Sequence, residues 1–588
     1  MFSYIFMKIL ESRPHRYDWG INLLTAGHAG RVIDDIVVNF IQPGMLVLDV
    51  GCGTGDLAVK AAKADAFVTG LDISEGMLAI ARERIKKNRL EDKVDFHHGG
   101  VVEVDTLFAE NSFDCITSTL VISELYGEER RWALREFFRI LKSDGTLIIA
   151  GEVKPKQPLK RAIYTALRLP LALITYIISQ TGTKVVSDIN TEIRKAGFEI
   201  AGERKSFLGS FVTIVAKKLK TPSPAADTQA MKSDADKSAV KTLFDYCGRW
   251  FPNPVEPGLR IIGTPDRTAP VIVTANFHLT VRRVEKALAD QDCYLLVVPT
   301  KGINAWCASA GGEMNTHSII AALKTSGIGG RVDHRVLILP QFSAPGIDTK
   351  LLKKRTGWNE KWGPAYAYDL PSFLDNGCTK TPQQCLAQFS LSFRLEMLLS
   401  MNVSVWLVLA AVALAIHPAW ALITSAFFWG AGLILYAGYP YLPFKSGWLK
   451  ALMLTIIVIA VFIAVSVHVT GNPWQYAGWM VFTCLAIMTI GFDLKGIVGD
   501  RTSEAEAFMH RLGFDTFGHL FRAKGVHKGR IIQDKDRCIN CSTCRMVCPM
   551  GVFGIAENKK DVIITDDSAC LKCIACVRQC KKKALTLN

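Results

Sequence analysis

Eight cysteines near the carboxyl end, set out as two copies of one spacing, constrain this chain more than any other feature. Cys538, Cys541, Cys544 and Cys548 form C-x2-C-x2-C-x3-C with Pro549 following, and Cys570, Cys573, Cys576 and Cys580 repeat the run. This spacing serves two [4Fe-4S] clusters, three cysteines of a run holding one cluster while the fourth crosses to the other. A zinc site or chance clustering is the other reading of so many thiols. Lys581 stands where the first run has its proline, and Lys581-Lys582-Lys583 reads as a solvated patch. The remaining eight of the sixteen cysteines are scattered, which fits a reduced compartment and not a disulfide scaffold.

At 588 residues the chain is too long for one core, and three to four domains are expected. With a hydrophobic share of 49%, part of it is expected in a membrane. Four apolar runs stand at 398–417, 419–438, 449–470 and 476–492, each near the roughly 20 residues that cross the hydrocarbon layer. Trp406, Trp420, Trp448, Trp474, Tyr439 and Tyr441 fall in or near the interface belts. Lys445 and Lys450 mark one loop, while the loops around Pro418 and Asn472 carry no Lys or Arg. The multi-pass helical anchor of 391–500 is therefore expected in the cytoplasmic (inner) membrane, both large soluble ends facing the cytoplasm. So few ionisable residues inside the runs favour anchoring over transport. The net charge of +15 suits cytoplasmic loops beside anionic membrane lipid. No basic stripe interleaved with aromatics points to nucleic acid, and residues 1–13 lack the pattern of a signal peptide.

Residues 1–217 carry a Rossmann-like pattern. The buried run 45–50 ends in Asp49-Val50 and turns through Gly51-Cys52-Gly53-Thr54-Gly55 into a helix near Asp56. Glycines at 51, 53 and 55 allow a ligand close to the backbone. A second strand, 67–71, ends at Asp72, 21 residues after Gly51, where an acidic side chain reaches ribose hydroxyls. "SFDCITSTL" (112–120) and "FFRILKSDGTLIIAGE" (137–152) add a further strand and a helix-turn-strand. With "VLDVGCGTG" and "GLDISEGML" as its motifs, the segment resembles a class I S-adenosylmethionine-dependent methyltransferase. An NAD-binding domain is the alternative, and the D-V-G-C-G-T-G form suits it less well. The resemblance implies S-adenosyl-L-methionine held by Asp49, Gly51, Gly53, Gly55 and Asp72. Cys52 and Cys115 read as core residues; 166–180 reads as a lid, docking face or interfacial helix.

Residues 218–240, rich in Pro, Ala, Ser and Asp, read as a flexible tether that raises the effective concentration of one domain at the next. Residues 241–390 alternate strand and helix signals, "PVIVTANF", "VRRVEKALAD", "CYLLVVPT", "HSIIAALKTSG" and "RVLILP", as a doubly wound α/β domain does. After the run 294–298 comes Lys301-Gly302-Ile303-Asn304-Ala305-Trp306-Cys307-Ala308, opening a helix. A lone cysteine there is by default a small buried hydrophobe. A strand-to-helix junction is also where ligand crevices open and where free helix amides favour a thiolate.

This stretch resembles the cap-helix region of the mercury-methylating corrinoid protein (HgcA type), whose motif stands here as Asn304-Ala305-Trp306-Cys307-Ala308. The likeness extends through "VEPGLRIIGTPDRTAPVIVTANFHLT" (255–280), "DHRVLILPQFSAPGI" (333–347) and "WGPAYAYDLPSFL" (362–374). It implies an α/β corrinoid-binding domain in which Cys307 ligates the cobalt of a cobalamin, Asn304 holds the cap's geometry, and Trp306 packs on the corrin or in the core. A thiolate is a soft donor, and the methyl group is expected to pass to Hg(II) or another soft metal. His278, His317 and His334 are conceivable ligands, whereas Cys247, Cys293, Cys378 and Cys385 have no metal-site spacing. Ala305 replaces a β-branched residue, and Ser309-Ala310-Gly311-Gly312-Glu313 replaces the family's Gly-Lys.

Residues 501–588 resemble that protein's bacterial two-[4Fe-4S] ferredoxin partner (HgcB type), here without a cysteine after Cys580. The chain thus reads as a multidomain α/β protein with transmembrane helices. The resemblance implies that the ferredoxin clusters, fed by a low-potential electron donor, reduce the cobalt, with S-adenosylmethionine a candidate methyl source. The resemblance implies about five spans against the four counted. The alternative is a corrinoid iron-sulfur methyl carrier of one-carbon metabolism, or methylation of another soft metal or metalloid.

Overall fold

A computed structural model describes residues 28–122, 125–153, 155, 157–166, 189–206, 211–219, 231–232, 246, 253–388, 390–416, 418–443, 447–466, scattered positions from 477 to 488, and 530–587 apart from 559 and 571. They fall into two compact units, one within Met1–Ala230 and Ile319–Arg331, the other within Met231–Ser318, Val332–Asp515 and His519–Asn588. The segment 166–180 lies outside the described residues apart from Ala166.

The first unit runs α1 His28–Phe40, β1 Leu46–Val50, α2 Asp56–Lys63, β2 Phe67–Asp72, α3 Glu75–Asn88, β3 Val94–His98, α4 Val104–Leu107, β4 Phe113–Thr119, α5 Gly127–Ile140, β5 Leu141–Glu152, α6 Ile189–Lys195, β6 Phe198–Ser206 and β7 Phe211–Lys218. The sheet order is β3-β2-β1-β4-β5-β7-β6. Strands β1 to β5 are parallel, and β7 lies antiparallel between β5 and β6. Val47 joins Val32, Ile36, Leu57 and Ile148 in one core, while its neighbour Leu48 joins Ile116, Phe137 and Leu147 in another. A strand covered on both faces reads as a continuous apolar run, as 45–50 does. Strand order reverses between β1 and β4, and in open α/β sheets the ligand crevice opens at such a point, outside the carboxyl ends.

Next come β8 Met231–Lys232, β9 Gly258–Ile262, β10 Val271–Ala275, α7 His278–Ala287, β11 Cys293–Val298, α8 Ala305–Gly311, α9 Thr316–Ser326, β12 Val336–Leu339, α10 Thr349–Thr356, β13 Asn359–Trp362 and α11 Leu370–Asp375. Helix α9 is divided between the units. The sheet order is β13-β12-β10-β11-β9-β8, with β10 to β13 parallel and β9 antiparallel to β11. The chain steps from β10 to β11 and then back past β10 to β12. The loops after all three strands therefore gather at one end of the sheet. Within the stretch expected as a tether, 218–240, Met231 and Lys232 pair with Arg260 and Ile261; most of the rest lies outside the described residues.

The first three apolar runs form α12 Leu391–Ile416, α13 Pro418–Ala437 and α14 Gly447–Ser466, around a core that includes Leu398, Phe428, Leu435, Leu454 and Ile487. Four membrane-spanning runs are expected here. Among the described residues no single helix is long and apolar enough to cross a membrane; Leu391–Ser400 and Val405–Ala415, bent by 48°, pass that test together. The bend falls where Asn402 Nδ2 donates to Leu398 O (2.9 Å) and Ser400 Oγ to Met397 O (3.4 Å). Such side-chain bonds compete with the helix ladder. Of the run 476–492 only scattered positions from 477 to 488 are described.

The chain ends with β14 Ile531–Gln533, α15 Thr543–Val547, β15 Phe553–Ile555, β16 Val562–Ile564, α16 Ala575–Gln579 and β17 Leu585–Leu587. β14 pairs antiparallel with β17, and β15 with β16, giving two ribbons and one short helix per cysteine run.

Candidate functional site

In the first unit the glycine loop leaves β1 at the switch point. Gly51 has φ 72, and a Cβ there would stand 1.9 Å from Val121 Cγ2; glycine alone satisfies both the backbone and the space. Gly53 donates its N-H to Asp72 Oδ2 (2.9 Å) and Ser74 donates to Oδ1 (2.8 Å). Asp72 therefore ties the glycine loop to the start of α3. Gly55 caps the amino end of α2. Asp49 sits in the strand behind them, 3% exposed and accepting from Thr117 Oγ1 at 2.8 Å. Burial pushes its carboxyl up to about 7, against that hydrogen bond and with help from Asp72 and Asp56. Of the five expected ligand-binding residues, four gather at the carboxyl ends of β1 and β2. Cys52 and Cys115 are buried, as expected of core residues. The sequence reading missed the end of β4: the buried hydroxyls of Ser118 and Thr119 have no hydrogen-bond partner among the described residues, and Leu120 adopts φ 69. Such strain gathers at ligand sites.

In the second unit Asn276, directly after β10, organises the loop that leads to Cys307. Its Oδ1 accepts from Thr300 N and Gly302 N, both at 2.9 Å, and from Thr300 Oγ1 at 3.0 Å; its Nδ2 donates to Val255 O at 3.0 Å. Asn276 is fully buried. Only its position, an asparagine just after a strand in "PVIVTANF", could have marked it. Asn304 immediately precedes α8, its carbonyl accepting from Ala308 N at 2.8 Å. Cys307 is the third residue of α8. Trp306 meets the ring of Phe342 edge-on, centroids 4.9 Å apart. Lys301 Nζ pairs with Glu313 at 3.0 Å, joining the two ends of the segment, and Gly312 at φ 84 turns the chain out of the helix. His278 follows β10 at this same end of the sheet. His334 lies before β12, at the opposite end, where its ring meets Ala269 O at 3.0 Å and Trp358 edge-on. The sheet thus separates His334 from Cys307. Burial pushes the Cys293 thiol up to about 12, as suits a core residue.

The eight carboxyl-terminal cysteines sort by geometry as their spacing requires. One cavity is lined by Cys538, Cys541, Cys544 and Cys580. A second is lined by Cys548, Cys570, Cys573 and Cys576. The fourth cysteine of each run crosses to the other's cavity. Among the described residues no His, Cys, Asp or Glu group is spaced for a single metal ion. A cubane offers iron at four corners and spreads its thiols wider than one ion does. Asn540, Ser542, Lys572 and Ile574, flanking the second cysteine of each run, have φ of 53 to 58. Left-handed residues there, one of them β-branched, are strained, and their amides can turn toward an anionic centre. Lys572 N and Ala584 N donate to Cys570 Sγ and Cys580 Sγ at 3.3 and 3.2 Å. The residues fit two [4Fe-4S] clusters.

Three segments match known families. Residues 47–145 match the methyltransferase domain, 242–374 the CO dehydrogenase/acetyl-CoA synthase delta subunit, and 537–585 the 4Fe-4S dicluster domain. The chain is 38% identical over 126 residues to the acetyl-CoA decarbonylase/synthase complex subunit gamma of Methanopyrus kandleri, covering 21% of this chain and 27% of that one. It is 37% identical over 142 residues to the ubiquinone/menaquinone biosynthesis C-methyltransferase UbiE of Bradyrhizobium diazoefficiens, covering 23% and 54%. It therefore spans about a quarter of the first relative's length and about half of the second's. Solved structures similar to it include a SAM dependent methyltransferase from Aquifex aeolicus (20% identity, 32% of this chain and 89% of that one, TM-score 0.25). Another is magnesium protoporphyrin IX methyltransferase from Synechocystis with bound SAH (22% identity, 33% and 82%, TM-score 0.27). Residues 47–145 are a methyltransferase domain. The chain fuses that domain to one related to the CO dehydrogenase/acetyl-CoA synthase delta subunit and to a 4Fe-4S dicluster domain.

Proposed function

We propose that the chain is a membrane-anchored, corrinoid-dependent methyltransferase. In this reading it takes a methyl group from S-adenosylmethionine and delivers it to Hg(II) or a similarly soft metal. The observation that carries the reading is Cys307. It stands in a short helix over the carboxyl end of a parallel sheet, within Asn304-Ala305-Trp306-Cys307-Ala308, in a segment related to an acetyl-CoA synthase subunit, and the same compact unit holds two cysteine-lined cavities. A corrinoid supplies, when bound, a cobalt centre that carries a methyl group, and iron-sulfur clusters supply single electrons at low potential. The chain's own residues do the rest. Asn276 fixes the loop before α8, Lys301 and Glu313 hold its two ends together, and Cys307 offers a soft sulfur donor that matches soft metals. The anchor is supported by the large apolar side chains exposed on three neighbouring helices, among them Leu407, Val408, Leu422, Leu433, Ile456 and Ile457. Lipid would cover them.

A second reading, a methyl carrier of one-carbon metabolism, is favoured by the 38% identity to the acetyl-CoA decarbonylase/synthase subunit. One experiment separates the two. Full-length protein is loaded anaerobically with cobalamin and given methyl-labelled S-adenosylmethionine with and without Hg(II), alongside Cys307→Ala. Labelled methylmercury from the native chain, with a loss of at least about 10–100-fold in the variant, is the expected result. Label that stays on protein whether or not mercury is present favours the carrier, and undiminished activity of Cys307→Ala overturns both.

A further inference from the structure

The loop Gln341–Ile347, just after β12, is held from two sides. On one side it meets α8: Ser309 Oγ donates to Ser343 O at 3.2 Å, and the Phe342 and Trp306 rings meet in a T-shaped contact. A Cβ on Gly346 would fall 2.2 Å from Met314 O and 2.8 Å from Ser309 Oγ, so the loop lies close against the Ser309 side chain of α8 and the backbone just after that helix. On the other side it meets the dicluster domain. Gln579, 5% exposed, donates through Nε2 to Ala344 O and Ile347 O, both at 2.7 Å, and accepts from Thr349 Oγ1 at 3.2 Å. Lys380 Nζ bridges Gln341 Oε1 (2.8 Å) and Met546 O (2.6 Å), Ala387 N donates to Pro549 O (2.8 Å), and Lys350 Nζ to Lys581 O (3.2 Å). Both cluster-bearing helices, α15 and α16, are gripped near their carboxyl ends. The two Gln579 donations are buried, and buried, paired polar contacts are of the kind that specify one arrangement; the lysine bonds to Met546 O and Lys581 O lie at the exposed margin.

We propose that the dicluster domain is a fixed buttress of the α8 cap as well as a redox module, with Gln579 positioning the cap through the loop Gln341–Ile347. The inference rests on the reading of α8 as the corrinoid cap. α8 is seven residues long and gains little stability from its own hydrogen bonds. Its order is set by what it leans on, and the loop beneath it is pinned by two carbonyls, Ala344 O and Ile347 O, to which Gln579 donates from the far side. Removing that amide leaves Ala344 O and Ile347 O without their donor and frees the loop to leave the helix.

The test uses the full-length, cluster-loaded chain. Gln579→Met keeps the volume and deletes both donations; Lys380→Met removes the independent anchor on α15. Hydrogen exchange is followed in peptides covering 299–315, iron content is measured, and cobalamin is titrated. The expected result for each variant is exchange about ten- to a hundredfold faster in α8, iron unchanged, and weaker cobalamin binding. Unaltered α8 exchange in both variants overturns the buttress. Faster exchange in a chain whose native form binds no cobalamin upholds the buttress and removes the corrinoid reading. If Gln579→Met loses iron, Lys380→Met decides by the same exchange criterion.

Discussion

Asn276→Ala is the most informative single perturbation, because one buried side chain serves the whole loop before α8. The asparagine oxygen accepts from Thr300 N and Gly302 N at 2.9 Å, and its nitrogen donates to Val255 O at 3.0 Å. Alanine leaves two buried amides and one part-buried carbonyl without the partner Asn276 gives them. An unsatisfied buried donor or acceptor costs about 1–3 kcal/mol. Thr300 Oγ1 keeps its bond to Ile303 O at 2.7 Å, and some relaxation admits water, so a total of roughly 3–5 kcal/mol is expected. That is a large fraction of the ~5–15 kcal/mol that stabilises a domain. Locally, about 3 kcal/mol corresponds to two decades in the opening equilibrium. Hydrogen exchange on the full chain should show the Thr300 and Gly302 amides about a hundredfold faster, with a denaturant midpoint shifted to match. Amides within about threefold of the native chain would refute the assignment of Asn276 as the organiser of the loop.

Two further outcomes follow from buried groups. Arg260 and Glu285 form a pair at 2.8 Å with side chains 10% and 3% exposed; Glu285→Ala should cost about 3–5 kcal/mol in denaturant unfolding, whereas Arg260→Met with Glu285→Leu should be near neutral. Asp49, its carboxyl pushed up to about 7 by burial, keeps its proton better folded than unfolded. Its contribution to stability is therefore full below about pH 4 and is lost as the pH rises through about 7. Asp49→Asn should flatten the fall in Tm between pH 5 and pH 8, and an unchanged slope would show that another group sets it.

What was legible in the sequence was what spacing alone dictates. The crossing of Cys548 and Cys580 between cavities follows from covalent order, because a short run cannot bring its fourth cysteine round the cluster its first three surround. The glycine loop and Asp72 were legible because a tight turn with positive φ admits few residue types. Asp72, however, spends an oxygen on Gly53 N and another on Ser74 N, a local use of the carboxylate that a motif cannot reveal. Asn276 and Gln579 were illegible for a different reason. Each acts on backbone atoms distant in sequence, and a carbonyl or amide has no residue identity to read. The bend in α12 was hidden in the same way: Ser400 and Asn402 are unremarkable in an apolar run until their side chains are seen to bond the turn before them.

The basic excess invites a reading in terms of lipid, but four of its cations lie on helix ends inside the second unit. Arg394 donates to Ala437 O (2.6 Å) at the end of α13, and Lys450 to Tyr439 O (2.5 Å) just beyond it, its ammonium 3.5 Å from that tyrosine's ring centroid. Lys380 donates to Met546 O in α15, and Lys350 to Lys581 O after α16. The last carbonyls of a helix lack intrahelical partners and together carry about half a negative charge. A lysine or arginine from a neighbouring element can satisfy them without a carboxylate. Lys380 shows the device complete: its three acceptors, Gln341 Oε1, Gly363 O and Met546 O, match the three donors of an ammonium. Burial pushes it down to about 8, so it is still charged at neutral pH. Placing such cations against helices that carry thiolate donors neutralises charge where it accumulates and fixes one domain on the next with the same bond. A net charge is thus a poor guide to partners until each cation's acceptor is known.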